Sequence, residues 1–476
     1  MAKSSDRALL LHPEVLKKEE ISLERHQDNN ATREPVRILH KYYQAGDLIV
    51  AGIISQIYIF SDTMTFEKYP AQELSDDHMI MTQLYQQILA LAFAVKEING
   101  NPCVLPNATL GFHMYNSHFS EKWTFQASIE LLSRRAKFIP NYKCDAENTP
   151  VAVIGGPNSY IGPQMAPILC TYKIPQMACW TNLEGLVEQR FPATDLWCAK
   201  VFFYQMFPNV NHLYKGILQL LLHFAWTWIG MLSQDEDTIE KFKEDMFPLF
   251  SKKGICFDFI EKFPKQTSSS DFGDMLEEGL KSIKVVMEST AKVVVVYGEI
   301  QSIMAMRSMH QLLHFANISM NIQTKVWIMT AQMDFTSFPI QRSSDINFLH
   351  GAISLAIHSK EVSGFHKFIQ HRNPYSENND GFIKDFWEES FSCTYPNSFV
   401  DKMNKKVCTG EEKLETLPAS VFEMSMTGNS YSIYNAVYAV ARAFSTRHSS
   451  QVKHRAMADG VRLDQQPWQV MSCSHF

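Results

Sequence analysis

The sequence predicts an α/β protein built on two doubly wound, mainly parallel sheets. Three observations predict it. Short, almost uninterrupted apolar segments recur at Val151–Ile154, Ile174–Cys179, Trp226–Leu232, Val293–Tyr297, Val326–Met329 and Ala352–Ile357, and the intervals between them suit helices. Runs such as Val293-Val294-Val295-Val296 have no polar face, so their sheet must be covered on both sides. The chain of 476 residues is also too long for one core, because cores stop growing near ~250–300 residues and longer chains divide.

Residues 1–44 are polar and charged and read as a poorly ordered extension. Their only apolar runs are Leu9–Leu11 and Val36–Leu39, shorter than the ~7–15 residues of a secretory leader's apolar segment. From Gly46 to Ile54 (GDLIVAGII) the texture becomes that of a first buried strand. His78–Asn99 then places Leu84, Ile88, Leu91, Val95 and Ile98 on one helix face, and Asn99-Gly100-Asn101-Pro102 stops it. Gly216–Leu232, the longest uncharged apolar stretch, has 17 residues and includes Gln219 and His223. That is the short limit for a membrane span, and a helix at 211–224 followed by the strand Trp226–Leu232 explains it better. Lys265–Asp271 and Asn373–Gly381 read as surface loops.

Hydrophobic residues make up 45% and charged residues 20%, which argues against general disorder. A net charge of −6 gives no electrostatic basis for a nucleic-acid or anionic-membrane partner.

The motifs of phosphate, dinucleotide, zinc-protease, serine-hydrolase and thiol-redox chemistry are all absent from the sequence. Asp271-Phe272-Gly273 lacks its partner kinase motifs, and the helically spaced pair His310 and His314 lacks a nearby carboxylate. No catalytic residue, cofactor or metal ligand is therefore expected. The residues do suggest binding. Gly155-Gly156-Pro157-Asn158-Ser159-Tyr160 follows a strand and leads toward a helix, so backbone N–H groups, Ser159 and Tyr160 can face an anion or carboxylate. Helix capping by Asn158 or Ser159 explains the same residues equally well. If the next strand is its neighbour, Thr181 and Asn182 open on the same crevice. Asp237, within Asp235-Glu236-Asp237, and Glu299 end strands of the second sheet. Such acids are ordinarily solvated, but in a cleft they hold amines or cations.

Several stretches together resemble the ligand domain of class C G-protein-coupled receptors, and more specifically vomeronasal type-2 receptors. They include Ala90–Asn99 (ALAFAVKEIN), Leu105–His113 (LPNATLGFH), Phe138–Cys144 (FIPNYKC) and Trp226–Gly230 (WTWIG). Lys325–Gln332 (KVWIMTAQ), Gly381–Trp387 (GFIKDFW), Phe422–Gly428 (FEMSMTG) and Ser430–Val440 (SYSIYNAVYAV) complete the set, which runs from about 44 to 470.

The resemblance implies a bilobal Venus-flytrap fold of the periplasmic-binding-protein-like type I. Lobe 1 would comprise 45–209 plus 344–476 and lobe 2 would comprise 210–343. The ending departs from the family's texture after Gln469, before the last crossing back into lobe 2, so the final lobe 2 strands are expected to be missing. The implied function is sensing of a small molecule or peptide by lobe closure. The implied partners are a second protomer, in a homo- or heterodimer through lobe 1, and a G protein in the full-length receptor only. The implied location is the extracellular face of the plasma membrane. A free-standing soluble extracellular binding protein or decoy is the alternative.

By resemblance, Ser159 occupies the place of a hydroxyl that holds a ligand carboxylate, and Asn182 that of a second hydroxyl contact. Val210 follows Pro208-Asn209 where relatives carry the acid for a ligand amine, and Thr238 replaces an aromatic hinge residue. A free amino acid is thereby disfavoured as ligand. Cys393 and Cys408 match an intra-lobe disulfide, whose loop closure contributes ~3 kcal/mol in the chain-entropy model. Cys144 lies where relatives link protomers, and Cys256 where they bridge to a cysteine-rich module. Asn107-Ala-Thr and Asn317-Ile-Ser are candidate glycosylation sites, with Asn30-Ala-Thr in the extension.

Overall fold

The computed structural model describes residues 38, 40–59, 78–134, 137–140, 149–155, 162–178, 202–208, 210–233, 236–263, 272–300, 302–307, 325–330, 347–395 and 406–455. In chain order the strands are β1 Lys41–Gln44, β2 Leu48–Ile54, β3 Ile57–Ile59, β4 His78–Ile80 and β5 Leu110–Asn116. They continue with β6 Ser133–Arg134, β7 Lys137–Pro140, β8 Pro150–Gly155, β9 Gln176–Ala178 and β10 Phe203–Gln205. The second set is β11 Trp228–Ser233, β12 Cys256–Lys262, β13 Val293–Tyr297, β14 Val326–Met329 and β15 Ile353–Ser354.

Two sheets carry the fold. The first has six strands in the order β1-β5-β2-β8-β9-β10, and the second has five in the order β12-β11-β13-β14-β15. Every pairing in the second sheet is parallel, and in the first only β1 runs antiparallel to its neighbour. The expected α/β class with doubly wound parallel sheets is what forms.

The valine run of β13 shows why both faces must be covered. Val294 and Val296 point into one apolar cluster with Ile283, Val286, Ile303 and Met304. Val293, Val295 and Tyr297 point into another with Ile217, Leu221, Phe242 and Phe250. Alternation across a strand sends successive side chains to opposite faces, so a strand without polar residues needs two apolar covers. The Gly216–Leu232 stretch divides as expected, into the helix Val210–His223 and β11. Among the described residues no helix is long and apolar enough to cross a membrane.

The helix Tyr85–Gly100 buries nearly its whole circumference, including Gln86 and Gln87. One side joins the first sheet's core through Val50, Phe112 and Ile154, and the helix Gly428–Arg455 packs against it through Val437, Val440 and Ala441. A helix enclosed on all sides is apolar all round, which the run ILALAFAV satisfies.

The structure departs from the sequence reading in four places. Lys41–Gln44 is an edge strand rather than part of an extension, and Ile38, His40 and Tyr42 are buried. Tyr42 packs edge-on against Phe112, which is what draws this polar-looking segment onto the sheet. His78–Ile80 pairs antiparallel with β3, so the helix begins at Tyr85 and not at His78. Ile353–Ser354 pairs with β14, so the second sheet reaches past position 344, where the return to the first lobe was expected. The Asn373–Gly381 segment is not simply superficial either, because it carries the buried Asp380. Lys265–Asp271 and the pair His310 and His314 lie outside the described residues.

Candidate functional site

In both sheets the first of the parallel strands lies between the second and the third. In the first sheet β2 is flanked by β5 and β8, and in the second β11 is flanked by β12 and β13. Successive connections therefore leave the first strand in opposite directions, which opens a crevice beyond the carboxyl ends of the strands at that point. Each sheet has one such switch point.

At the first switch point β2 ends at Ile54 and β8 at Gly155, with Ile53 in register with Gly155. A Cβ on Gly155 would lie 2.3 Å from the Ile53 carbonyl oxygen, so only glycine lets the backbones approach this closely. Gly155 begins the loop that leads to Ser159 and Tyr160, both outside the described residues. Beyond Ala178, the end of β9, Thr181 and Asn182 also lie outside them.

At the second switch point Ser233 ends β11 in register with Tyr297 of β13. Ser233 is wholly buried, and its hydroxyl has no hydrogen-bond partner among the described residues. Glu299 follows two residues after Tyr297 and is buried at 8% exposure, with its carbonyl accepting from the Ser302 N–H at 2.9 Å. Gly298 is held to β14 by the Thr330 hydroxyl, which donates to the Gly298 carbonyl at 3.1 Å. Asp237 lies in the first turn of the helix Glu236–Asp245. The Glu299 side chain is thus not the solvated acid that composition alone would suggest.

Sequence reasoning missed a polar cluster beyond β2 and β5. The Ser55 and Ser117 hydroxyls hydrogen-bond to each other. Asn116 Oδ1 accepts from the Gln56 N–H at 3.3 Å and from the His118 N–H at 3.1 Å. Ser55, Gln56, Asn116 and Ser117 are all wholly buried. The available signal was Ser55-Gln56 itself, a polar pair interrupting an otherwise apolar run from Leu48 to Ile59.

This cluster sits where the two cores meet. The Met81 N–H donates to the Gln56 carbonyl at 2.8 Å. Met81 and Leu84 belong to the second sheet's apolar cluster, while Tyr85 and Ile88 belong to the first. The seam between the cores therefore passes through the turn Thr82–Leu84. Burial at this seam pushes the Tyr58 phenol above its ordinary range. The first turn of the helix that follows also clamps the segment leading to the long C-terminal helix. Gln86 donates to the Glu423 and Ser425 carbonyls at 2.6 and 2.7 Å and accepts from the Thr427 N–H at 2.9 Å.

The receptor family ligand-binding region model matches residues 86–472. The chain belongs to this family. Mouse (Mus musculus) vomeronasal type-2 receptor 26 is 28% identical over 437 residues, covering 90% of this chain and 48% of the relative. The human (Homo sapiens) extracellular calcium-sensing receptor is 23% identical over 423 residues, covering 81% of this chain and 36% of the relative. Mouse vomeronasal type-2 receptor 116 is 26% identical over 366 residues, covering 76% of this chain and 39% of the relative. The chain thus spans less than half the length of these relatives, all of which are receptors. The resemblance to class C receptors, and to the vomeronasal type-2 group among them, stands. So does the flytrap class of fold, since this family is periplasmic-binding-protein-like.

The Cys393–Cys408 disulfide is present, with Cα atoms 5.0 Å apart. Its two cysteines lie beside the short parallel pair β16 Cys393–Thr394 and β17 Lys406–Val407. Cys170, which the sequence reading left unassigned, is also disulfide-bonded. Cys256 is a free thiol exposed at the start of β12. Asn107 is exposed in a turn with φ 59°, and Thr109 of its triplet donates its hydroxyl to Asp47 at 2.7 Å. Cys144 and Asn317 lie outside the described residues.

Proposed function

We propose that this chain is the sensing region of a chemosensory class C receptor, closing on a small molecule or peptide without catalysing a reaction. The observation that carries the reading is the family match over 86–472. The repeated strand order supports it, because it gives each half of the chain its own crevice at the carboxyl ends of the strands. A ligand held between two such crevices favours whichever arrangement lets it touch both, which is population shift.

The lobes in this reading are 45–209 plus 344–476 and 210–343, adjusted so that Lys41–Gln44 joins the first and Ile353–Ser354 the second. Ser159, Tyr160, Thr181 and Asn182 contact the ligand from the first lobe, and Asp237 and Glu299 from the second. The first lobe also forms a dimer interface, with Cys144 as the covalent link. Asn107 and Asn317 carry glycans on the extracellular side of the plasma membrane, and a G protein reports closure in the full-length receptor.

Thermal-shift measurements with peptides and free amino acids test the reading. A binding peptide raises the melting temperature of the 476-residue chain, and Ser159→Ala reduces that rise. An unchanged rise in Ser159→Ala would sink the site assignment. No rise with any peptide or amino acid would sink the ligand-binding reading itself.

A further inference from the structure

Gln56 has an unusual pattern of satisfaction. Its backbone is fully used, the N–H donating to Asn116 Oδ1 at 3.3 Å and the carbonyl accepting from Met81 at 2.8 Å. Its side chain is wholly buried, yet neither amide atom has a hydrogen-bond partner among the described residues. Buried polar atoms are nearly always paired, and a glutamine carries two donors and an acceptor. A buried carboxamide with all of them unmade is a standing cost that an apolar residue of similar volume would avoid.

Its neighbours do not share the fault. Ser55 pairs with Ser117 and also accepts from the Phe119 N–H at 3.3 Å, and Asn116 uses its carbonyl oxygen twice. The side chains of Ser55, Asn116 and Ser117 are thus paired, whereas the Gln56 carboxamide beside them is not. That group stands immediately beyond β2, the strand at the first sheet's switch point, and one hydrogen bond from the seam between the two cores.

We propose that Gln56 is a specificity-determining residue for the ligand, its carboxamide pairing with an amide group when the lobes open to admit it. This rests on the ligand-binding reading above and names the ligand class: a molecule presenting a peptide bond or carboxamide. An amide matches because it offers an acceptor and a donor side by side, complementary to the donor and acceptor of Gln56. A carboxylate would use only the Gln56 donors, and an ammonium only its acceptor. A ligand lacking the amide would leave the buried group unpaired, which is how a polar site rejects near-isosteres.

The test compares the 476-residue protein with its Gln56→Met variant, which keeps the length and volume of the side chain and removes its polar atoms. The probes are a random-sequence pool of blocked hexapeptides, free glutamine and the other free amino acids. Without a probe, Gln56→Met should melt higher than wild type by about 2 °C, because the unpaired amide is gone. With the hexapeptide pool the wild-type melting temperature should rise, and the variant should lose at least half of that rise. A rise with free glutamine and not with peptides would assign a side-chain carboxamide instead of a backbone one.

A variant that melts lower, or fails to fold, would show Gln56 to be a structural residue and overturn the proposal. A variant with the full wild-type rise would overturn it while leaving ligand binding intact. A wild-type protein that responds to no probe overturns the ligand-binding reading, and this proposal with it.

Discussion

Asp380 beside the first sheet and Val294 within the second are held in opposite ways. Asp380 accepts from the Arg372 guanidinium and the Tyr85 hydroxyl at 2.7 Å each, and from the Phe382 N–H at 3.0 Å. Arg372 reaches Glu377 as well, at 2.8 Å. Burial pushes the Asp380 carboxyl up against the pull of Arg372. Burial also opposes the charge on Arg372, but Tyr85, Tyr42, Asp380 and Glu377 together hold it above its ordinary range. Val294 is buried in an apolar cluster with Ile283, Val286, Ile303 and Met304. The ion pairs near the second sheet, such as Lys243–Glu240 and Lys281–Glu277, are exposed pairs on helix surfaces, each worth ~0–1 kcal/mol. Directional contacts hold Asp380 in a single arrangement, whereas Val294 is held by filling volume.

The comparison breaks most visibly at Asp380. Asp380→Ala leaves Arg372 buried without its closest partner and should cost about 3–5 kcal/mol. Val294→Ala removes two methyl groups from the second region at ~0.8 kcal/mol each and leaves a cavity, for a total of about 2 kcal/mol. Denaturant titration of both variants checks the order. Equal losses would mean that the buried network contributes no more than ordinary packing.

The disulfide is the next largest difference. Cys393 and Cys408 are 15 residues apart, and opening a loop of that length should cost ~3 kcal/mol in the chain-entropy model. Hydrogen exchange on a Cys393→Ser, Cys408→Ser protein should show lost protection around Ile383–Phe391 and Lys406–Val407. Protection in β11, β13 and β14 should be unchanged. Loss spread evenly over both sheets would argue that the regions unfold as one.

The same contrast explains what the sequence revealed. β13 and β14 form at the predicted residues because an all-apolar run of four or five has no other stable placement than a covered sheet. The first region was harder to read because its order depends on long-range pairs. Lys41–Gln44 looks like polar tail until Tyr42 is set against Phe112 and Arg372. Asp380 looks like loop until Tyr85, 295 positions away, reaches it. The ends of β8, β11 and β13 were legible, since strand–loop–helix punctuation is local. Gln56 and Ser233 were not, because a residue's lack of partners is a property of the packed molecule.

Two glycines sharpen the comparison on a smaller scale. A Cβ on Gly155 meets the backbone carbonyl of Ile53 at 2.3 Å, and one on Gly230 meets the ring of Phe259 at 2.1 Å. A ring can swing aside, but a carbonyl within a paired strand moves only with its sheet. Gly155→Ala should therefore cost about 1–3 kcal/mol and, on the proposed role of Ser159 four residues later in the sequence, diminish any ligand-induced thermal shift. Gly230→Ala should cost less and leave the shift alone. Equal losses of stability would show that Phe259 is as fixed as the backbone.

The smallest effect expected is acid sensitivity confined to the first region. Glu412 accepts from the Thr409 and Gly410 N–H groups at 2.8 Å each, from the Thr409 hydroxyl at 2.9 Å and from Trp387 Nε1 at 2.8 Å. Burial alone would raise its carboxyl, but these donors outweigh burial and bring it down to about 2. A group depressed in the folded state stabilises above its unfolded value and loses that contribution as pH falls toward the folded one. Stability should therefore decline from about pH 4.5 toward pH 2. The Glu412 share should be of order 1 kcal/mol after allowance for solvent screening. Glu412→Gln keeps the shape without the charge and should flatten that part of the pH–stability curve. Because Trp387 packs in the first core and Gly410 lies two residues beyond Cys408, the lost contribution should appear as weakened protection of the disulfide loop. A curve unchanged by Glu412→Gln would place the acid sensitivity elsewhere and remove this carboxylate from the set of staples that distinguishes the two regions.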